Sequence, residues 1–239
     1  MSKEELASEC VWQFKIFEEN PDISDVIVEN FSRVCLNGFG IERDWTTNIK
    51  KKLSNSTMLG MLQNQEGRFY GFATYLASNS LLGGSYLLWE DGICLTKEAQ
   101  GKGFSRTAIE QAVKIFPKQT FGWIGGRTQN PLILKRYKRL GKTFPFDELY
   151  ETQTMKSVMD FLIENIPEVK KVYTEKKLNR SNGICTAVYK EGRFGDYPVG
   201  IEGTEEFEKQ LEQWGFQRAR GDAVIIVARW RQNRSESEV

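Results

Sequence analysis

The chain has 239 residues, of which 40% are hydrophobic and 27% charged, a composition typical of folded globular proteins. Its 33 basic and 32 acidic residues leave a net charge of +1, too small to attract nucleic acid or a membrane over a distance. The four cysteines lie far apart and histidine is missing, which argues against a disulfide framework, a metal site and a histidine triad. Without a long apolar run, we expect a soluble, cytoplasmic protein.

The first part of the chain predicts one strand, two helices and three strands. Alternating side chains indicate a strand at 11–17, and the apolar spacing from Ile23 to Val34 predicts a helix that Gly38 and Gly40 end. A short helix is predicted at 44–53. Strands are then predicted at 58–63 and 69–77, joined by a hairpin turn at 64–67, and a third at 86–95.

The second part of the chain alternates helices with strands. A helix is predicted at 104–115 and a strand at 121–127. The pair Asn130-Pro131 then opens a helix, because asparagine caps free amides and proline suits the first helical position. Beyond it we predict a helix at 154–165 and strands at 183–190 and 223–230, which flank a helix at 204–214 capped by Thr204. The tail, 232–239, is predicted to be disordered.

The junction between the third strand of the hairpin region and the next helix is the most informative segment. Apolar Ile93, Cys94 and Leu95 lead through Gly101-Lys102-Gly103 into the helix. The first amides of a helix lack internal partners and carry partial positive charge, so such a junction favours a bound phosphate. The simpler alternative is that the glycines only shape a tight turn.

A longer pattern around this junction resembles a known family. Gln100, Gly103 and Ser105 resemble the Q/R-x-x-G-x-G/A pyrophosphate loop of the GNAT acyltransferase superfamily, with serine where the family usually has glycine or alanine. The later segment from Asn130 through Tyr137 to a Leu-Gly pair resembles the family's next helix. Walker A and Rossmann fingerprints fit worse, because a required glycine is missing from each.

This resemblance implies an α+β fold, in which helices flank a central, mostly antiparallel mixed sheet. It implies a coenzyme A-binding core at 11–146. The C-terminal region at 147–231 is then either an insertion followed by a final sheet strand at 222–230 or a separate lobe. Both alternatives stay open at the level of sequence.

The resemblance also implies an activity: transfer of an acyl group, acetyl by default, from acyl-CoA as co-substrate to a primary amine of a small molecule or peptide by direct attack. Tyr137 is then the general acid, unless it only packs in its helix, and Glu90 or Asp91 is the base, unless the two acids are a solvated edge. Cys94 fits an inert buried cysteine better than a nucleophile. The residues expected to bind coenzyme A are Ile93, Cys94, Leu95, Gln100, Gly101, Lys102, Gly103, Phe104, Ser105, Arg106 and Asn130.

Two other classes of function compete with this enzyme. The first is a non-catalytic coenzyme A sensor or interaction module on the same fold, which the serine at position 105 favours. The second is a nucleic-acid binder that uses the basic helix at 135–142, although a solvated face or a phosphate rim explains that cluster more simply. A membrane partner is not expected, and a homodimer is compatible with the resemblance.

Overall fold

The computed structural model describes residues 9–17, 23–116, 121–147, 152–189, 195 and 200–230. The predicted tail at 232–239 lies outside these residues. The strands are β1 (Val11–Ile16), β2 (Met58–Gln63), β3 (Phe69–Leu82), β4 (Ser85–Leu95), β5 (Phe121–Thr128), β6 (Thr143–Phe144), β7 (Ile184–Cys185) and β8 (Ala223–Arg229). The helices are α1 (Asp25–Phe39), α2 (Thr46–Ser54), α3 (Phe104–Ile115), α4 (Pro131–Leu140), α5 (Thr152–Asn165), α6 (Pro167–Thr174) and α7 (Glu205–Gln213).

The strands are hydrogen-bonded in the order β1-β2-β3-β4-β5-β8-β6, and β7 pairs with β8 outside this path. Strand β2 is antiparallel to β1 and β3, and β8 is antiparallel to β5, β6 and β7. The neighbours β4 and β5 are connected through helix α3. The predicted α+β class, a mixed sheet flanked by helices, is confirmed.

The chain divides into two compact units, of which the first comprises Met1–Ala77 and Glu90–Gln119. Its core forms where apolar faces of α1 and α3 cover strands. Phe31 of α1 stacks on Phe72 of β3 with ring centroids 4.2 Å apart. The Trp12 indole of β1 donates to the Phe104 carbonyl oxygen over 3.0 Å, which holds the first residue of α3 against β1. A buried indole with a satisfied N–H stabilises such a contact.

The second unit comprises Ser78–Trp89 and Thr120–Val239. Strand β8 forms its centre, and from Ala223 to Ala228 every residue is buried, which indicates that both faces of this strand are covered. Gly125 of β5 lies directly under the Trp89 ring, since a Cβ atom there would be 2.9 Å from Trp89 Cε3. The Trp123 indole donates to the Leu82 carbonyl oxygen over 2.8 Å and fixes β5 against the end of β3.

Two predictions about the C-terminal region are wrong in part. The predicted strand at 183–190 is reduced to Ile184–Cys185, because Gly183 and Ala187 have φ angles of 70° and 49°, which an extended strand does not accommodate. Helix α7 begins at Glu205 as expected, but the Thr204 hydroxyl makes no cap and donates instead to the Ile201 carbonyl oxygen over 2.7 Å. Within the described residues, no helix combines the length and apolar character needed to cross a bilayer.

Candidate functional site

The strand-to-helix junction lies in the first unit and has the backbone geometry of an open loop. Gly101 and Gly103 have φ angles of 75° and 82°, in the left-handed region that favours glycine. Both are exposed, and a Cβ atom at either position would meet nothing within 4 Å. Gly103 is the N-cap of α3 and has no side chain to cap the first-turn amides. The loop therefore presents backbone to open space.

The turn at 96–100 anchors this loop to the rest of the unit. The Thr96 carbonyl oxygen accepts from the Ala99 and Gln100 amides, and the Thr96 amide donates to the Tyr70 carbonyl oxygen over 2.9 Å. The Gln100 side-chain amide donates to the carbonyl oxygens of Leu95 and Gly38, each over 3.0 Å. Gln100 therefore ties the end of α1 to the end of β4, a structural task beside its predicted contact with the cofactor.

The strand residues that precede the turn are closely packed against α1. Cys94 is buried, and its thiol donates to the Val34 carbonyl oxygen over 3.6 Å. Burial raises the pKa of the Cys94 thiol well above its ordinary value, and the hydrogen bond with Cys35 adds to this rise. A thiol that stays protonated is a poor nucleophile, so Cys94 is the inert cysteine that its apolar strand predicted. Ile93 and Leu95 are both half-buried.

The basic and apolar residues around the loop have separate environments. Arg106 is exposed and paired with Glu110 one turn further along α3, with Nε and Oε1 2.7 Å apart. Lys102 and Ser105 are half-buried, and Phe104 is buried. Arg106 is thus exposed to solvent and paired with a carboxylate, and its ion pair with Glu110 would have to break before it could bind a phosphate.

The two candidate bases, which are neighbours on β4, differ in their surroundings. Glu90 is buried, with 7% of its surface exposed. Asp91 is half-buried and forms an ion pair with Lys52 of α2, with Nζ and Oδ2 3.0 Å apart. Lys52 also donates to the Asp91 carbonyl oxygen, and Gly92 leaves room for the lysine stem. Asp91 is therefore occupied in holding α2 on the sheet.

The remaining two predicted site residues lie in the second unit. The Asn130 side-chain oxygen accepts from the Leu132 amide over 3.0 Å, which confirms the predicted cap of α4. The Thr128 hydroxyl oxygen accepts in turn from the Asn130 amide over 2.9 Å. Tyr137 is fully buried in α4, and the Arg136 guanidinium lies 5.2 Å from its ring centre. The roles predicted for Asn130 and Tyr137 in binding and catalysis stay predictions.

Sequence reasoning missed a half-buried polar cluster in the second unit. Glu168 at the start of α6 accepts from the Trp89 indole over 2.7 Å and pairs with Arg127 of β5 at 2.9 Å. Burial of the guanidinium lowers the pKa of Arg127, but the negative charge of Glu168 has the larger, opposite effect. The pKa of Arg127 is therefore raised above its ordinary value. The partners are far apart in sequence, and Pro167-Glu168, a good helix start, was the one local signal.

Comparison with known proteins gives similarities in structure alone, since no protein-family model and no curated protein matches the chain. The ribosomal-protein-S18-alanine N-acetyltransferase from Escherichia coli is 11% identical, with 95% of this chain and 98% of that chain covered and a TM-score of 0.46. The IAA acetyltransferase from Bacillus cereus is 12% identical, with 92% of this chain and 99% of that chain covered and a TM-score of 0.46. A GNAT family N-acetyltransferase from Escherichia coli, solved in complex with CoA, is 10% identical. The similarity covers 54% of this chain and 67% of that chain, with a TM-score of 0.39. In fold, this chain is similar to GNAT-family N-acetyltransferases.

Proposed function

We propose that the chain binds an acyl-coenzyme A and transfers the acyl group, acetyl by default, to a primary amine of a small molecule or peptide. The observation that carries this proposal is the junction of β4 and α3. There, two exposed glycines with positive φ precede an uncapped helix start, in the sequence pattern that resembles a pyrophosphate loop.

The residues present at this junction fit a diphosphate. A phosphate oxygen needs donors at short range, and the first amides of a helix provide them together with the positive end of its dipole. The open space over Gly101 and Gly103 leaves the backbone accessible to a ligand. A side chain at either position would reduce this access. Gln100 and Trp12 hold the two ends of the loop to α1 and β1, so the donors are kept in place before the ligand arrives.

The proposed reaction asks little of the protein besides orientation and two proton transfers. A thioester reacts with a neutral amine without a covalent enzyme intermediate, so the chain must position the donor, accept a proton from the amine and supply one to the leaving thiolate. In this proposal the strand at Ile93–Leu95 orients the pantetheine arm, and Tyr137 protonates the thiolate. Glu90 is our first choice for the base, because Asp91 would have to break its ion pair with Lys52.

A pair of tyrosine variants tests the catalytic half of the proposal. Tyr137→Phe removes the proposed acid and keeps the ring. We expect release of free coenzyme A thiol, measured with an amine panel and acetyl-CoA, to fall by about 100-fold or more. The rise in melting temperature that acetyl-CoA produces should remain, because binding is left intact. Tyr173→Phe on α6 is the control, since Tyr173 is 43% exposed, and it should change neither measurement.

The same measurements separate the proposal from its alternative. If no acyl-CoA of any chain length raises the melting temperature, the proposed function is wrong. If acetyl-CoA stabilises the native chain but no amine yields free thiol, the non-catalytic coenzyme A module is favoured instead. An unchanged rate in Tyr137→Phe would leave acyl transfer standing and remove Tyr137 from it.

A further inference from the structure

A pocket of about 290 Å³ lies in the first unit, and none of the residues predicted to hold coenzyme A lines it. One wall is a single face of helix α1, formed by Asn30, Arg33, Val34 and Asn37 at the helical spacing of three and four residues. The opposite side consists of Arg68, which precedes β3, of Phe69, the first residue of β3, and of the turn that follows β4. Its volume is near the lower limit of small-molecule sites.

Thr96 lines this pocket with a hydroxyl that has no use in the fold. The residue is 6% exposed, and within the described part of the chain its Oγ1 has no hydrogen-bond partner. The Thr96 backbone, by contrast, is fully used in the turn, where its amide donates to Tyr70 and its carbonyl oxygen accepts from Gln100. Buried hydroxyls without a partner are rare in native proteins and call for a ligand or an ordered water.

The charges around the pocket leave one cation uncompensated. Arg68 and Glu98 neutralise each other through an ion pair of 2.8 Å at the rim. Arg33 is exposed and, among the described residues, has neither an ion-pair nor a hydrogen-bond partner. The Asn37 side-chain oxygen accepts a hydrogen bond from the Lys97 amide over 2.7 Å. The Nδ2 group of Asn37 can therefore donate hydrogen bonds to a ligand.

The apolar part of the lining, Val34 and Phe69, is firmly held. Val34 is buried in α1, and Phe69 packs edge-on against Phe31 with ring centroids 5.7 Å apart. A ligand that fits must therefore combine one negative charge and several hydrogen-bond acceptors with a small apolar body. Carboxylates accept bidentate hydrogen bonds from a guanidinium and a further bond from a hydroxyl.

We propose that this pocket is a binding site for a small organic carboxylate, separate from the proposed coenzyme A site. Arg33 and the Asn37 amide donate to the carboxylate, the Thr96 hydroxyl gives it a buried donor, and Val34 and Phe69 contact the apolar body. The proposal depends on the pocket alone and stands whether or not the chain transfers acyl groups.

The test is a titration of the full chain with sodium benzoate, followed by amide shifts in two-dimensional NMR. Benzoate should cause saturable shifts at Val34, Asn37 and Thr96, and neutral benzamide should cause none. Arg33→Gln and Thr96→Val should each weaken benzoate binding by about tenfold. Lys51→Gln, which removes an exposed charge on α2 outside the pocket, should bind benzoate like the unaltered chain.

Stability measurements keep the test decisive. Thr96→Val preserves the shape of the side chain and the backbone hydrogen bonds, so this variant should melt no lower than the unaltered chain. The proposal is overturned if benzoate causes no saturable shift at millimolar concentration, or if a folded Thr96→Val binds benzoate as tightly as the unaltered chain. Inorganic phosphate is the third ligand, and binding of phosphate without binding of benzoate would also reject the carboxylate.

Discussion

At the scale of single residues, Asp222 accepts more hydrogen bonds than any other carboxylate among the described residues of the second unit. It is fully buried, and it accepts from the backbone amides of Ala187 and Gln217, each over 2.9 Å, and from the Arg220 guanidinium. Burial alone would raise the pKa of Asp222, but the hydrogen bonds from Arg220 and the two amides outweigh it and hold the pKa below its usual value. One side chain thus joins the segment at Ala187 to the turn at 217–222.

Asp222 should make the stability of the protein fall in acid. Because its folded-state pKa is lowered, its contribution is complete above the unfolded pKa of about 3.9 and is lost as the pH falls through the folded value. Asp222→Asn should lower the free energy of unfolding at pH 7 by about 2 kcal/mol and flatten its decline below about pH 4. Urea unfolding across this range measures both. The control Asp25→Asn changes an exposed carboxylate, and an equal effect there would contradict the argument.

Residues with local partners could be predicted from the sequence, and residues with distant partners could not. The cap at Asn130 needs only an amide two positions away, so the Asn-Pro pair was sufficient. The same rule failed at Thr204, whose hydroxyl finds a carbonyl oxygen three residues before it. Trp89 and Glu168 are 79 positions apart, and no pattern in either segment indicates the other.

At the scale of elements, the start of α3 and the turn between β2 and β3 offer a matched pair of glycines. Gly103 and Gly67 have φ angles of 82° and 79°, and a Cβ atom at either meets nothing within 4 Å. Alanine at either position should cost about 1 to 2 kcal/mol of stability through backbone strain. Only Gly103→Ala should also reduce the rise in melting temperature with acetyl-CoA, because its Cβ occupies the space proposed for the diphosphate. An equal reduction in Gly67→Ala would reject that assignment.

Helix α1 rests on β4 through a glycine that has no backbone strain of its own. A Cβ atom on Gly38 would lie 2.3 Å from the Leu95 carbonyl oxygen and 2.9 Å from Cys94 Sγ. The higher helix propensity of alanine should add about 1 kcal/mol to the stability of Gly38→Ala. The steric clash of its Cβ atom should cost more, so that urea unfolding shows a net loss of about 2 kcal/mol in the free energy of unfolding. Leu36→Ala in the same helix alters a side chain that is 46% exposed and should change stability by less than about 0.5 kcal/mol. A neutral Gly38→Ala would disprove the close approach.

Element boundaries could be predicted where the hydrophobic pattern and the turn chemistry agree. Helix α3 has the predicted bounds, 104–115, because Gly103 ends the loop and an apolar stripe follows. The strand predicted at 183–190 has β-forming side chains, but tertiary contacts override them. The Tyr189 carbonyl oxygen approaches Gly221 so closely that a Cβ atom would lie 1.9 Å away, which bends this segment onto the turn before β8.

At the scale of the whole molecule, two strands belong to both compact units. Strand β3 passes from the first unit to the second after Ala77, and β4 returns to the first at Glu90. A strand that loses its pairing at one end weakens the ladder along its length. We therefore expect the chain to unfold in a single cooperative transition, although it forms two compact units.

Buried thiols in both units can measure this cooperativity. Cys94 belongs to the first unit and Cys185 to the second, and burial raises the pKa of Cys185 to about 12, so neither thiol reacts quickly while it is enclosed. Iodoacetamide labelling in rising urea, resolved by peptide mass spectrometry, should give the two cysteines one midpoint, equal to that of global unfolding. Cys35, buried in α1, is an internal standard for the first unit. Labelling of Cys185 at distinctly lower urea than Cys94 would show that the second unit opens alone, because a thiol becomes reactive only when the structure around it opens.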